Sequence, residues 1–301
     1  MSVPETTRCG FVALVGAPNA GKSTLLNALV GTKVSIVTHK AQTTRAQIRG
    51  VVTEGDAQLV FIDTPGIFAP RRRLDRAMVE AAWTGAGDAD VVALIVDAER
   101  GVTPEVEALL AGLENIRHPR VLILNKIDLI AREKLLGLAE DINARLAFEA
   151  TFMISALRGH GVRDFLDWTI AHSPLGPWHF PEDQLTDLTL ALTAAEVTRE
   201  KLFLRIHDEI PYNATVETEK FTIQQDGSYR IDQVVYVTRP THKKIVLGAG
   251  GQTIKAIGAE ARRELMEIFE VPVHLFLFVK VREKWADDPE RYSEMGLTWT
   301  K

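Results

Sequence analysis

The strongest constraint on this 301-residue chain is the segment Gly-Ala-Pro-Asn-Ala-Gly-Lys-Ser at residues 16–23. It fits the pattern G-x-x-x-x-G-K-[ST] of a phosphate-binding loop. The apolar run 9–15 before it predicts a strand, and residues 24–30 after it predict a helix. Such a strand–loop–helix unit directs backbone N–H groups and the positive end of a helix dipole at one point. The segment therefore predicts a nucleotide site in which Lys22 reaches the β- and γ-phosphates and the Ser23 hydroxyl joins a Mg²⁺ site.

The composition is that of a soluble globular protein, with 46% hydrophobic and 25% charged residues. The chain is long enough for two domains, and it contains no apolar run of the roughly 20 residues that span a bilayer. Residues 1–8 resemble neither a signal peptide nor a transit peptide, and the single cysteine, Cys9, excludes an internal disulfide. We therefore expect a cytoplasmic protein. The net charge of −5 means that any nucleic-acid binding requires a local basic patch.

A second motif follows a predicted β-hairpin of residues 46–53 and 58–62. The second strand leads directly into the segment Asp63-Thr64-Pro65-Gly66. An aspartate at a strand end can order the water shell of a Mg²⁺ ion, and the N–H of a nearby glycine can reach a γ-phosphate without obstruction. The same four residues also fit an ordinary β-turn, so this motif alone is ambiguous.

A third motif selects the base. The predicted buried strand 120–124 ends in Asn125-Lys126-Ile127-Asp128. The Asp128 carboxylate only accepts hydrogen bonds, so it matches N1–H and the N2 amine of guanine, whereas adenine presents an acceptor at N1. Asn125 can bridge the base edge and neighbouring loops, and the stem of Lys126 can lie along the ring. The alternative is a cap at the start of a helix.

Two further apolar runs, 91–96 and 151–154, predict buried strands. The second ends in Ser155-Ala156, whose backbone N–H groups could meet guanine O6. Strands that alternate with helices predict an α/β domain with a doubly wound, mostly parallel sheet and a ligand at the carboxyl ends of its strands. Every motif falls at such an end, so together they predict one guanine-nucleotide site.

In this order the motifs resemble those of P-loop GTPases of the translation-factor-related class. The resemblance implies that Thr44, with Thr43 as the alternative, closes on Mg²⁺ only when the γ-phosphate is present. It makes residues 33–45 and 66–80 the two switches. It implies a metal site of Ser23, Thr44 and Asp63 and the catalytic residues Asn19, Lys22, Thr44 and Gly66. The implied GTP-binding residues are Gly16, Ala17, Pro18, Asn19, Ala20, Gly21, Lys22, Ser23, Thr24, Asp63, Thr64, Pro65, Gly66, Ile67, Asn125, Lys126, Asp128, Ser155 and Ala156.

Two residues distinguish this site from that of small signalling GTPases. Ile67 stands where those proteins carry a glutamine that orients the attacking water, and isoleucine has no donor or acceptor for that task. In GTPases resembling this one, an asparagine at the position of Asn19 helps to bind K⁺ beside the phosphates. We expect slow intrinsic hydrolysis that K⁺ stimulates over Na⁺. Arg71-Arg72-Arg73 is an alternative source of positive charge, although three adjacent arginines more often form a solvated or RNA-facing patch.

The second half begins after a segment, 173–181, that holds three prolines and a glycine. We predict a GTPase domain at 1–172, a linker at 173–186 and a second domain at 187–301. The predicted elements of the second domain are a helix at 187–206, strands at 214–223 and 229–238, a helix–loop–helix that includes 259–269 and a strand at 273–281.

The loop Gly248-Ala249-Gly250-Gly251 connects the two helices of that helix–loop–helix. Between residues 239 and 284 there are nine Lys or Arg against five Glu, which makes a local basic patch. This order of elements and the G-x-x-G loop resemble an α+β type II KH domain, a reader of single-stranded RNA. Relatives often carry lysine within the loop, and its absence here predicts a lower affinity. The implied RNA-binding residues are Lys243, Lys244, Gly248, Ala249, Gly250, Gly251 and Lys255.

Taken whole, the sequence resembles the Era-like family of ribosome-associated GTPases. The resemblance implies binding to the 3′ region of 16S rRNA, action in 30S subunit assembly under control of the nucleotide state, and peripheral association with the cytoplasmic membrane. We expect a monomer. One alternative is an RNA-binding module with a regulatory, barely hydrolytic nucleotide site. Another is a tRNA-modification GTPase, but those relatives lack the KH half and carry a C-terminal catalytic cysteine.

Overall fold

The computed structural model describes residues 7–40, 43–70, 72–207, 209–295 and 297–299. Ala41, Gln42 and Arg71, which fall in the two predicted switches, lie outside the described residues. The contacts divide the described chain into two compact units. The first contains residues up to 35, residues 44–187 and those after 294, and the second contains residues 36–43 and 188–294.

The first unit is an α/β domain built on one six-stranded sheet. Its strands are β1 (Arg8–Gly16), β2 (Ile48–Glu54), β3 (Ala57–Asp63), β4 (Val91–Asp97), β5 (Arg120–Asn125) and β6 (Ala150–Ile154). Its helices are α1 (Lys22–Val30), α2 (Arg73–Gly87), α3 (Pro104–Leu113), α4 (Arg132–Arg145) and α5 (Val162–His172). The strand order is β2-β3-β1-β4-β5-β6, and only β2 runs antiparallel to its neighbour. This confirms the predicted doubly wound, mostly parallel sheet.

Helices cover both faces of this sheet because each central strand is apolar on both sides. One set of alternate residues, which includes Val15, Leu94 and Leu124, packs against helices α2, α3 and α4 in one hydrophobic core. Helices α1 and α5 contact each other and β3. The nucleotide-site motifs follow the carboxyl ends of the parallel strands β1, β3, β5 and β6, so they lie at one edge of the sheet.

The second unit is an α+β domain with a three-stranded sheet. Its strands are β7 (Ala214–Ile223), β8 (Tyr229–Val237) and β9 (Val273–Val281), and its helices are α6 (Leu190–Arg205), α7 (Pro240–Leu247), α8 (Gln252–Phe269) and α9 (Pro289–Glu294). Strand β8 pairs antiparallel with β7 and parallel with β9. Leu202 of α6, Val246 of α7 and Ile257 of α8 are buried in a core against the sheet. This confirms the predicted order of elements in a KH domain.

Helix α6 is shorter than the predicted 187–206 for a local reason. Thr189 is its N-cap, and its side chain accepts a hydrogen bond from the backbone N–H of Leu192 at 3.2 Å. Asp187 instead accepts a hydrogen bond from the Arg49 guanidinium at 2.8 Å within the first unit. Across the described ranges, no helix combines the length and the apolar character needed to cross a membrane.

Candidate functional site

The loop between β1 and α1 leaves the N-terminus of α1 open. Gly21 precedes the helix with φ of 101°, and no side chain caps the first turn. That turn contains no acidic residue either, in contrast to α3, where Thr103 is the cap and two glutamates follow. Asn19 is exposed and also has a positive φ, 64°. Uncapped N–H groups and the helix dipole together suit an anion such as phosphate.

Lys22 is buried within this loop. Its ammonium donates hydrogen bonds to the carbonyl oxygens of Gly16 at 3.1 Å and Ala17 at 3.0 Å. Burial lowers the pKa of Lys22 to about 8, and the nearby Asp63 carboxylate opposes that change. A phosphate group that accepted from this ammonium would relieve the cost of burying its charge.

Three hydroxyl groups converge on one carboxylate oxygen at the end of β3. Oδ2 of Asp63 accepts from Ser23 Oγ at 2.6 Å, from Ser35 Oγ at 2.9 Å and from Thr44 Oγ1 at 3.2 Å. Ser23 Oγ and Thr44 Oγ1 are themselves 3.0 Å apart. Oδ1 of Asp63 is buried and has no hydrogen-bond partner among the described residues. Burial raises the pKa of Asp63, and the hydrogen bonds from the hydroxyls counteract only part of that effect.

This cluster fits a hard divalent cation. Within the described part of the chain, no three His, Cys, Asp or Glu side chains are grouped in a way that could hold a metal ion. The available ligands at Asp63 are therefore one carboxylate and neighbouring hydroxyl oxygens, a donor set that suits Mg²⁺ completed by water and phosphate oxygens. A cation at Asp63 would also give its unpartnered buried oxygen a counter-charge.

The two candidate threonines have different surroundings. Thr44 is buried at the Asp63 cluster, as described above. The hydroxyl of Thr43 instead lies 2.6 Å from the hydroxyl of Thr38 and donates to the carbonyl oxygen of Lys40 at 2.7 Å. Thr44 is thus the threonine that the structure brings to Ser23.

The Asp63–Gly66 segment packs tightly against the phosphate loop. A Cβ atom on Gly66 would lie 3.0 Å from the backbone nitrogen of Pro18, so only glycine fits without a shift. Ile67 is buried in the hydrophobic core, and its N–H donates to Gly16 O at 3.3 Å. Its side chain therefore lacks both the chemistry and the exposure to orient a water molecule. The neighbouring Thr64 and Pro65 are buried, and Thr24 is half-buried in the first turn of α1.

Asn125 connects three motifs. Its side-chain amide donates to Ala20 O at 2.8 Å in the phosphate loop and accepts from the Ala156 N–H at 3.0 Å. A Cβ atom on Gly21 would lie 2.1 Å from Asn125 Nδ2, which explains a glycine at that position. Lys126, whose φ is 65°, forms a salt bridge of 2.5 Å with Asp97 at the end of β4. That salt bridge fixes the direction of the lysine stem.

Asp128 lies within reach of two donors, Ser155 and Arg158. A hydrogen bond from Ser155 is the largest cause of its lowered pKa, and Arg158 Nε lies 3.3 Å from its Oδ2. The Ser155 N–H donates to His160 O at 3.0 Å. Both N–H groups that we expected at guanine O6, those of Ser155 and Ala156, therefore already have acceptors within the protein.

The loop between α7 and α8 in the second unit has glycine-specific backbone angles. The φ values are 74° at Gly248, 58° at Gly250 and 79° at Gly251. Helix α8 begins after Gly251 without a side-chain cap, so its first N–H groups are open. Ala249 and Gly250 are exposed. This loop can bring bare backbone close to a phosphate chain.

Three lysines flank that loop. Lys244 on α7 and Lys255 on α8 are exposed, and Lys243 is half-buried. None of the three forms a salt bridge with a carboxylate of the described residues. Their charges are thus available to an anionic partner, which agrees with the basic patch predicted from the sequence.

Several residues at the site carried no recognised sequence signal. Ser35 donates to Asp63, and Asn27 of α1 holds the backbone of Ser35 through hydrogen bonds of 2.7 and 2.9 Å. Asp97 could have been found from its position at the carboxyl end of β4. The pairing of Arg158 with Asp128 and the role of Asn27 depend on contacts that no local pattern encodes.

Comparison with known protein families agrees with this geometry. Residues 11–126 match the family described as 50S ribosome-binding GTPase, and residues 209–286 match the family described as KH domain. The fold and the site therefore define a P-loop GTPase domain joined to a KH domain.

Curated relatives and solved structures narrow this class. The chain is 61% identical to GTPase Era of Rhizobium meliloti (strain 1021) over 295 residues, which cover 98% of this chain and 94% of the relative. It is 59% identical to GTPase Era of Brucella suis biovar 1, with 97% and 94% covered. A crystal structure of Era in complex with MgGDPNP and nucleotides 1506–1542 of 16S ribosomal RNA matches with a TM-score of 0.90 and 37% identity, over 96% of this chain and 99% of that one. The chain belongs to the GTPase Era family, which confirms the resemblance seen in its motifs.

Proposed function

We propose that this protein binds guanine nucleotide with Mg²⁺, hydrolyses GTP and uses its nucleotide state to control the binding of single-stranded RNA. The observation that carries the proposal is the convergence of Lys22, Ser23, Thr44 and Asp63 at the open N-terminus of α1. Lys22 is buried and its ammonium donates to two carbonyl oxygens, and Oδ1 of Asp63 is buried with no hydrogen-bond partner among the described residues. A phosphate beside Lys22 and a cation at Asp63 would satisfy both groups.

Each motif then has a defined role. The backbone of residues 16–24 and the Lys22 ammonium bind the phosphates, Gly66 contributes its N–H to the γ-phosphate, and Asp128 reads the guanine edge. Ser23, Thr44 and Asp63 hold the metal. When bound, Mg²⁺ neutralises charge that develops on the β- and γ-phosphate oxygens.

We also propose that intrinsic hydrolysis is slow and that K⁺ stimulates it. Ile67 is buried and cannot orient water, so this chain lacks one common contribution to the rate. Asn19 is exposed on the phosphate loop and offers an amide oxygen, which is a suitable ligand for an alkali-metal cation.

The RNA partner that we propose is the 3′ region of 16S rRNA, with action in assembly of the 30S subunit. The similar Era structure is described as a complex with nucleotides 1506–1542 of that RNA. The open loop at 248–251 and the lysines Lys243, Lys244 and Lys255 support the same kind of contact here. We further propose a cytoplasmic monomer that adsorbs to anionic membrane surfaces through this basic face.

Phosphate release from GTP, measured with and without an RNA fragment of that 3′ region, tests the main proposal. We expect slow release that RNA changes, and footprints on the RNA that differ between a GTP analogue and GDP. Absence of phosphate release under all conditions, with RNA binding intact, would instead support an RNA-binding module with a regulatory nucleotide site. The observation that favours this second function is the burial of Ile67, which cannot orient the attacking water.

A further inference from the structure

The segment 36–43, which contains most of the predicted first switch, belongs to the second unit by its contacts. Helix α6 holds its two ends. The N–H of Val37 donates to Glu200 Oε1 at 2.9 Å, and the guanidinium of Arg199 donates to the carbonyl oxygen of Thr43 at 2.5 Å. The ammonium of Lys40 also donates to the last carbonyl groups of the helix, those of Phe203 and Ile206.

Arg199 is a charged group that is almost fully buried, with 1% of its surface exposed. Glu196 on the same helix accepts from its Nε at 2.7 Å and its Nη2 at 2.5 Å. Its Nη1 has no hydrogen-bond partner among the described residues. A buried arginine with an unmet donor costs stability relative to an apolar side chain, so packing alone does not account for a guanidinium here.

The acceptor of the Arg199 hydrogen bond explains why a guanidinium is buried at this position. The carbonyl group of Thr43 belongs to the same peptide unit as the N–H of Thr44, and that unit is planar. Fixing its carbonyl therefore restricts the backbone of Thr44, whose hydroxyl lies 3.0 Å from Ser23 Oγ and 3.2 Å from Asp63 Oδ2.

We propose that Arg199 is a positioning residue for Thr44. It orients the Thr43–Thr44 peptide so that the Thr44 hydroxyl stays at the candidate metal site, ready for the triphosphate state. The inference rests on the proposed function, in which Thr44 is a ligand of Mg²⁺ only when a γ-phosphate is present. Because coupling is reciprocal, a ligand that fixes Thr44 also favours the contact of Arg199 with Thr43.

The test compares nucleotide affinities of full-length variants at saturating Mg²⁺. We expect Arg199→Met to weaken binding of a non-hydrolysable GTP analogue about tenfold, because one charged hydrogen bond is lost, and to leave GDP binding unchanged. Arg199→Lys keeps a donor and should restore part of the loss. Arg205→Met is the matched control, because Arg205 lies on the same helix, is half exposed and pairs with Glu260.

A second readout needs neither nucleotide nor metal. Amide hydrogen exchange of residues 36–45 should become faster in Arg199→Met and stay unchanged in Arg205→Met. If Arg199→Met fails to fold in thermal unfolding, Arg199→Lys supplies the same comparison, with a smaller expected effect.

Thr44→Ala separates this inference from the function on which it rests. If Thr44→Ala leaves the affinity for the GTP analogue unchanged, the assignment of Thr44 to the metal fails and the inference fails with it. If Thr44→Ala weakens that affinity but Arg199→Met and Arg199→Lys do not, only the role of Arg199 is refuted. If the Arg199 variants lose as much affinity for GDP as for the GTP analogue, the role of Arg199 is also refuted, since that pattern indicates a general disturbance of the nucleotide site.

Discussion

At the scale of single residues, the candidate site buries two ionisable groups, Lys22 and Asp63, at a cost in free energy. Within the described part of the chain, the Lys22 ammonium donates to carbonyl oxygens, and Asp63 accepts from hydroxyl groups through Oδ2 while Oδ1 has no hydrogen-bond partner. Burial therefore lowers the pKa of Lys22 and raises the pKa of Asp63, which favours the neutral form of each group. The phosphates of a nucleotide would raise the pKa of Lys22, and a cation would lower the pKa of Asp63. The site therefore suits an anion beside Lys22 and a cation beside Asp63.

The pKa of Lys22 leads to a prediction about stability. Below about pH 8, Lys22 is protonated in both states and the folded protein bears the full cost of its burial. Between about pH 8 and 10.5, the unfolded chain binds a proton that the folded protein has released, so the free energy of unfolding rises with pH. Over this range we expect the wild type to gain about 3 kcal/mol relative to Lys22→Met, which has no charge to bury.

Denaturant unfolding of the nucleotide-free wild type and Lys22→Met at several pH values measures this difference. Titration of the groups that do not interact with Lys22 cancels in the comparison. With Mg²⁺ and GDP bound, the phosphates should keep Lys22 charged and remove the rise. Parallel pH profiles for the two nucleotide-free proteins would show that the Lys22 pKa is not lowered.

Asp128 leads to a prediction about base specificity. Asp128→Asn replaces a pure acceptor with a group that also donates, which matches the O2 carbonyl of xanthine and not the N2 amine of guanine. We expect GDP affinity to fall by about tenfold to a hundredfold and affinity for the xanthine analogue to rise. Titration calorimetry measures both. Arg158→Gln removes the residue beside Asp128 and should leave the preference for guanine intact; unchanged GDP affinity in Asp128→Asn would refute the base assignment.

Asn19 leads to a prediction about monovalent cations. Its φ of 64° makes Asn19→Gly a substitution without backbone strain that removes the side-chain amide. We expect wild-type phosphate release to be faster in K⁺ than in Na⁺ and the variant to show one slow rate in both. Equal turnover of the wild type in the two salts would rule out the cation site.

At the scale of elements, the sequence predicts those features that depend on neighbouring residues and misses those that depend on contacts distant in sequence. The strands β1, β3, β4 and β5 begin and end within two residues of their apolar runs, because burial on both faces requires such runs. The predicted start of helix α6 is three residues too early, because Thr189 caps the helix and residues 187–188 stay outside it. The assignment of segment 36–43 to the second unit was not predictable, since α6 holds it through contacts 163 residues away in sequence, such as Val37 to Glu200.

The loop at 248–251 shows how backbone geometry permits a clean test of RNA binding. A Cβ atom on Gly250 would meet nothing within 4 Å, and its φ of 58° is one that Asp and Asn tolerate. Gly250→Asp should therefore fold and place a negative charge at the RNA backbone, which weakens RNA binding by about tenfold or more. GTP-analogue binding should stay normal.

Gly250→Asn is the matched control for that variant, because it has the same shape without the charge. We expect it to bind RNA more tightly than Gly250→Asp in a filter-binding or anisotropy assay. Equal loss in both variants would mean that the side chain, and not its charge, interferes.

At the scale of the whole molecule, a net charge of −5 repels RNA overall, so RNA binding relies on the local basic patch of the second unit. RNA binding should accordingly depend on salt through few phosphate contacts. Each lysine that neutralises a phosphate of a single strand contributes about −0.7 to the slope of log K against log salt.

We expect Lys244→Gln and Lys255→Gln each to reduce the magnitude of that slope by about 0.7. Lys134→Gln, an exposed lysine on α4 of the first unit, should leave the slope unchanged. A slope that none of these substitutions changes would place the RNA elsewhere on the protein, since the charges beside the 248–251 loop would then make no contact with phosphate.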